Sequence, residues 1–118
     1  MIKRGVWVRI FINQIYNDNF ITFVMEIGDV SFHDAKILEA KELVGRQIME
    51  FLIDFPVDWE NNIFEHRILR FDWVTHYAVN EILFEGNPTI LEVNELVSER
   101  GANRVEFATN AGVGLLII

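Results

Sequence analysis

Three histidines, one of them beside an aspartate, are the side chains of this sequence that could ligate a metal or transfer protons. They are His33, which precedes Asp34, and the more isolated His66 and His76. A metal site needs several ligands that converge from separate elements. No spacing here is typical of such a site, so we predict no bound metal and no cofactor. We expect His33 and Asp34 to be structural, tying down the turn before a strand through backbone hydrogen bonds.

Covalent catalysis has no candidate residues in this chain. Cysteine is absent, which excludes disulfides, Cys-ligated zinc, iron–sulfur clusters and a thiol nucleophile. Ser31 and Ser98 lie outside any G-x-S-x-G elbow. Residues 112–114 read Gly-Val-Gly but lack the Lys-Ser/Thr of a phosphate loop, and we interpret them as a tight turn where a strand passes close to its neighbour. The sequence therefore predicts no catalytic residues and a protein that is not an enzyme.

Tryptophans next to carboxylates are the better candidates for function. Trp59 lies between Asp58 and Glu60 in a segment, 56–62, that is predicted to be a polar loop, and its ring is expected either to contact a partner or, equally, to cap an end of the core. For Trp73, which is predicted to sit mid-strand, capping the core is favoured over contact with a partner. An amphipathic ring beside charged groups can anchor a protein interface. The residues that we predict to contact a partner are the acidic and aromatic positions Asp54, Asp58, Trp59, Glu60, Glu65 and Asp72.

Alternating apolar residues predict the strands that must position these groups. The period of two, together with turn residues between the runs, indicates strands at 6–13, 35–42, 47–55, 63–71, 72–81, 104–108 and 113–118. The 63–71 strand has a mixed exterior that includes Glu65, His66, Arg67 and Arg70, and 72–81 is expected to continue or pair with it. The wholly apolar 113–118 run predicts a central strand covered on both faces.

Two segments predict short helices. The spacing of Phe20, Phe23, Val24 and Ile27 favours a helix over 20–27, with a second strand forming a hairpin with the first as the alternative. Thr89-Ile90-Leu91-Glu92 fits a capping box and predicts a helix over 90–100. The expected fold is α+β, mainly β: one curved, largely antiparallel sheet of about six or seven strands with two short helices in a single domain, 1–118.

Composition limits the classes of partner. The chain has 118 residues, is 51% hydrophobic and carries a formal net charge of −8. Such an acidic surface repels a polyphosphate backbone, so nucleic acid is disfavoured as a partner. No apolar run approaches the roughly 20 residues of a membrane span, and no export signal is recognisable, so we expect no membrane partner and a cytoplasmic location.

The segment Ser31-Phe32-His33-Asp34-Ala35-Lys36-Ile37 resembles the "FHDA" start of a group of small bacterial proteins. In that group a hairpin of alternating strands follows, and a segment close to "ETNSTGS" precedes an apolar strand near the end. Here 106–112 reads EFATNAG, without the Ser-Thr pair, before the apolar 113–118, so the resemblance covers 31–118. The group includes immunity proteins of bacterial polymorphic toxin systems.

The resemblance implies a non-enzymatic inhibitor that binds a cognate toxin. Nuclease toxins are basic because their substrate is an anion, and an acidic protein is steered to them. Two alternatives stay open. One is a small-molecule-binding module or enzyme with a pocket between sheet and helix, near His66, His76 or Asp72, and the other is an oligomeric structural domain. The sequence does not determine the oligomeric state.

Overall fold

The chain folds into two antiparallel β-sheets that pack face to face. The computed structural model describes residues 6–13, 20–82, 85–96 and 103–118. The first sheet, sheet A, has the strand order β2-β1-β5-β4-β3, and the second, sheet B, has the order β6-β9-β8-β7. The strands are β1 Trp7–Asn13, β2 Phe20–Glu26, β3 Lys36–Leu43, β4 Ile48–Asp58, β5 Ile63–Phe71, β6 His76–Glu81, β7 Ile90–Leu96, β8 Arg104–Thr109 and β9 Gly112–Ile117.

Alternation along the strands builds the core between the sheets. In β4, Met49, Phe51 and Ile53 are buried, whereas the intervening residues are partly exposed on the outer face of sheet A. Phe51 also makes an edge-to-face contact with Phe71 of β5, with ring centroids 6.0 Å apart, and its ring lies 5.4 Å from that of Phe107 in sheet B. Such ring contacts add to the apolar area buried, so these three phenylalanines join the two sheets.

Backbone hydrogen bonds also join the two sheets at one edge. The amide of Ile90, at the start of β7, donates to the carbonyl of Ala35 over 2.7 Å, and the amide of Asp34 donates to the carbonyl of Ile90 over 2.9 Å. Ile37 likewise donates to Pro88 over 2.8 Å. The segment 34–37 before and within β3 is thereby paired with 88–90, so the predicted FHDA turn is fixed by a strand more than 50 residues away in the chain.

The expectation of a mainly β fold is confirmed, but the single curved sheet is wrong. The polypeptide leaves sheet A at Asp72 and Trp73, and β6 pairs with β9 of sheet B. The predicted 72–81 strand therefore does not pair with 63–71, and only His76–Glu81 is strand. Trp73 is not mid-strand: it is 75% exposed, with φ of 61°, at this change of sheet.

The preferred helix at 20–27 is wrong, and the alternative hairpin is confirmed. Residues Phe20–Glu26 form β2, which pairs with β1 in a regular register from Asn13↔Phe20 to Trp7↔Glu26. A 3-10 turn over Ile27–Asp29 follows. The apolar spacing fits one face of a helix. In the fold, however, the backbone amides and carbonyls of these residues form hydrogen bonds with the antiparallel strand β1. No α-helix occurs in the described part of the chain, and none of it could span a membrane as a helix.

The predicted helix at 90–100 is also wrong over its described part. Ile90–Leu96 is β7, which pairs with β8, and residues 97–100 lie outside the described residues. The capping-box pattern was outweighed by the long-range bonds of Ile90 to 34–35. The predicted strands at 35–42, 47–55, 63–71, 104–108 and 113–118 are confirmed within a few residues, although β4 runs on to Asp58 through residues expected in the loop.

Close approach of two strands explains the glycine at 112. Gly112 begins β9 with φ of +134°, and a Cβ built there would lie 2.1 Å from the carbonyl oxygen of Asn80 in β6. The expected close approach to a neighbouring strand is confirmed, but the tight turn is misplaced: residues 110–111 form the turn, and 112–114 already belong to β9. β9 is an inner strand of sheet B, as expected, but Val113 is 43% exposed, so it is not covered on both faces.

Candidate functional site

The β4–β5 turn presents Trp59 at the surface on a rigid support. Asp58 accepts hydrogen bonds from the backbone amide of Asn61 over 3.2 Å and from its side-chain Nδ2 over 2.7 Å. These bonds hold the pKa of the Asp58 carboxyl below its ordinary value, because they stabilise the charged form. Asn62 closes the turn with φ of 54°, a left-handed conformation that asparagine tolerates. Trp59 is 70% exposed at this tip.

A hydrogen bond to the FHDA turn fixes the orientation of that exposed ring. The indole Nε1 of Trp59 donates to Oδ2 of Asp34 over 2.9 Å. Asp34 has φ of 69°, and its amide is bound to the carbonyl of Ile90. The backbone of Asp34 is therefore hydrogen-bonded to sheet B, and its side chain is hydrogen-bonded to Trp59, in the turn between two strands of sheet A. The contact brings together two parts of the sequence that were singled out separately, Asp58–Glu60 and His33–Asp34.

His33 makes the second link from this turn to β7. Its Nδ1 lies 2.8 Å from the carbonyl oxygen of Leu91. A carbonyl can only accept, so Nδ1 carries the proton, and Nε2 faces Oδ2 of Asp34 at 3.6 Å. In this geometry His33 links the turn to β7 through the Leu91 carbonyl.

Further side chains extend this surface, which we call the Trp59 patch. Lys36 lies beside Asp54 in the β3–β4 register and places its Nζ 5.9 Å from the ring centroid of Phe64. A shallow hollow of about 280 Å³ lies between these groups and the tryptophan. The Trp59 patch comprises His33, Asp34, Lys36, Asp54, Asp58, Trp59, Glu60 and Phe64. Its four carboxylates and one ammonium give it a negative balance.

Two of the predicted contact residues lie apart from the Trp59 patch. Glu65 is paired with Arg67, with 3.5 Å between Oε2 and Nη2. Asp72 receives two hydrogen bonds from Arg9, at 2.8 Å from Nε and 2.5 Å from Nη2. Asp72 is six residues along β5 from the position opposite Asp54, which is about 20 Å at the ordinary rise of a strand. Asp72 was grouped with the loop by charge and expected exposure only, and the length of β5 separates the two.

The remaining titratable groups do not form a second centre. His66 lies opposite Asp54 on the outer face of sheet A, and His76 begins β6 in the other sheet. In the part of the chain that the structure describes, no three His, Asp or Glu side chains are grouped as metal ligands would be. Carboxylates also lie on the edge strands of both sheets, at Glu39, Glu42, Glu81 and Glu92, so the Trp59 patch is distinguished by its ordered tryptophan rather than by charge alone.

Arg67 was predicted to belong to the exposed exterior of the 63–71 strand, and this prediction is wrong. It lies opposite Ile53, a fully buried residue, on the inner face of β5, which is the central strand of sheet A. The signal was present in the sequence, because Arg67 shares its alternation phase with Leu69 and Phe71.

Comparison with known proteins identified no similar protein. The chain matches no protein-family model, no curated protein and no solved structure. The resemblance to the FHDA group consequently rests on the residues given above.

Proposed function

We propose that this protein is a non-enzymatic binding protein that neutralises a basic protein partner, a nuclease-like toxin, through the Trp59 patch. The observation that carries the proposal is the 2.9 Å hydrogen bond from Trp59 to Asp34, which orients an exposed indole among carboxylates. Interface energy is concentrated in a few anchors, and tryptophan is enriched among them. An anchor that is already ordered loses less side-chain entropy on binding.

Charge supports a basic partner in two ways. The Trp59 patch offers carboxylates around an aromatic centre, which suit the lysines and arginines of a cleft that binds nucleic acid. The net charge of −8 supplies the long-range attraction that raises the association rate and makes that rate fall with salt. Carboxylates outside the Trp59 patch contribute to this attraction without having to touch the partner.

The experiment compares two exposed tryptophans. Trp59 and Trp73 are 70% and 75% exposed, and both lie in turns at ends of β5. The proteins encoded on either side of this gene are produced, and binding of any basic one among them is measured by surface plasmon resonance for the parent, Trp59→Ala and Trp73→Ala. We expect Trp59→Ala to weaken affinity about 30-fold or more, the loss of about 2 kcal/mol that defines an interface anchor. Trp73→Ala should change it less than about threefold.

A second comparison tests the supporting carboxylate. Asp34→Asn keeps the shape of the side chain but removes its charge, and we expect a loss of affinity with a weaker salt dependence of the association rate. Asp72→Asn is the control, because that carboxylate is occupied by Arg9 away from the Trp59 patch. Equal effects of the two tryptophan variants, or the absence of any basic neighbouring gene product that binds, would contradict the proposal.

A further inference from the structure

An apolar groove lies on the inner face of sheet A where sheet B does not cover it. It is lined by inner-face side chains of β1, β2, β4 and β5 and by residues 29–32, and its volume is about 370 Å³. Phe23 of β2 faces it opposite Ile10 and remains 45% exposed although it points to the core side of the sheet. The volume falls within the range of about 300–1,000 Å³ typical of small-molecule sites.

A largely buried guanidinium lies in this otherwise apolar lining. The side chain of Arg67 is 14% exposed, and its Cζ lies 5.0 Å from the ring centroid of Phe55. Its Nη1 is buried and has no hydrogen-bond partner among the described residues. Its counter-ion is Glu65, whose carboxylate is half-exposed and sits at 3.5 Å from Nη2, beyond an ordinary charged hydrogen bond.

This arrangement is costly unless something compensates it. A cation taken out of water needs an anion and hydrogen-bond acceptors in good geometry. Glu65 supplies part of the charge from the solvent side, and an inner-face position on the central strand would otherwise hold an aliphatic residue, as at Leu69. Asp29 also lines the groove, at its exposed rim, so an anion is favoured only next to Arg67.

We propose that the groove binds a small amphipathic monocarboxylate. The carboxylate of the ligand pairs with the guanidinium of Arg67 in place of Glu65, and its apolar portion lies along Ile10, Phe23 and Met25. Charge complementarity selects an anion over a neutral or cationic molecule with the same tail. This site uses none of the residues of the Trp59 patch, so the two proposals stand or fall separately.

The test compares three ligands that share one tail. Decanoate, 1-decanol and decyltrimethylammonium are titrated into the full chain below their aggregation concentrations, and binding is followed by isothermal calorimetry. Selective ¹³C-methyl labelling of methionine locates the site, because Met25 lines the groove whereas Met49 is buried between the sheets. We expect one saturable site for decanoate, with the Met25 methyl signal shifted more than that of Met49.

Charge dependence gives the decisive comparison. A hydrogen-bonded charge contributes about 1.5–3 kcal/mol, which corresponds to a loss of about tenfold or more for 1-decanol, and the ammonium should not bind. Arg67→Met should lower the affinity for decanoate to that of the parent chain for 1-decanol. Glu65→Gln should raise the affinity for decanoate, because the carboxylate that competes for Arg67 is removed.

Stability separates ligand binding from a purely structural role. Arg67→Met replaces an incompletely paired cation with an apolar side chain, so its thermal midpoint should be equal to or above that of the parent chain. An affinity for decanoate that Arg67→Met leaves unchanged, equal binding of the three ligands, or no saturable binding would each overturn the inference. The ligand comparison on the parent chain decides the matter even if the variant folds poorly.

Discussion

Adding one methyl group at Gly112 should strongly destabilise the fold. The new Cβ in Gly112→Ala would lie 2.1 Å from the Asn80 carbonyl oxygen and 2.8 Å from the Cα of Glu81, so the backbone of β6 must move. A φ of +134° adds strain of about 1–3 kcal/mol for a residue with a side chain. Displacing the end of β6 also weakens the pairs Asn80↔Val113 and Glu81↔Gly112, at about 1 kcal/mol for each hydrogen bond. We expect a total loss of about 3–5 kcal/mol.

Two other glycines separate the causes of that loss. Gly45 has φ of +83° but open space around its Cβ position, so Gly45→Ala should cost only the backbone strain, about 1–2 kcal/mol. Gly114 lies two residues beyond Gly112 in β9 with neither feature, and Gly114→Ala should be neutral or stabilising by up to about 1 kcal/mol. The loss of stability should therefore be largest for Gly112→Ala, which has both clash and strain, and smaller for Gly45→Ala, which has strain alone. Gly114→Ala, which has neither, should show no loss.

Urea unfolding followed by tryptophan fluorescence and circular dichroism measures these free energies. A chain of this size is expected to unfold in one cooperative step, so coincident transitions at equal slopes validate the comparison. A Gly112→Ala protein within about 0.5 kcal/mol of Gly45→Ala would refute the close approach of β9 and β6, since strain would then account for the whole effect.

Three further predictions concern titration and the core. The carboxyl of Asp58 should titrate below its ordinary pKa in NMR, and Asn61→Ala should raise that pKa; the stability from this group is present at neutral pH and is lost as pH falls through the lowered value. Burial, helped by Glu81 and Glu42, raises the pKa of Tyr77, so stability should fall as pH rises beyond the ordinary tyrosine range, and Tyr77→Phe should remove that loss. Phe51→Ala should cost about 3–5 kcal/mol in urea unfolding, because it empties space between the sheets; a cost below 1 kcal/mol would contradict its central position.

Local patterns in the sequence were sufficient for the strands whose alternation had no competing interpretation. In β4, Met49, Phe51 and Ile53 could lie on one face only as a strand, and β5 was predicted with its observed bounds. The segments that became β2 and β7 fit a helical spacing equally well. Their strand conformation depends on pairing with β1 and β8, and for β7 also on the bonds of Ile90 to the segment before β3.

The candidate site was predicted in parts and assembled only by the fold. Trp59 with its flanking acids and the His33–Asp34 pair were each recognised from residue type. Their contact depends on a hydrogen bond between residues 25 positions apart, and sequence periodicity carries no information on such a bond. Arg67 shows the opposite case, because its phase along β5 was visible but the charge of its side chain suggested the surface.

The division of the chain into two sheets has a consequence for its synthesis. All five strands of sheet A are encoded before residue 72, whereas sheet B is built from residues 76–117. During synthesis, the strands of sheet A therefore leave the ribosome before sheet B, and the rings of Phe51 and Phe71 are then exposed to water. Exposed β surface of that kind invites aggregation and chaperone capture until the second layer emerges. We expect a chain truncated after Phe71 to precipitate, because residues 72–118, which are 47 residues, include the sheet that covers the apolar face of sheet A.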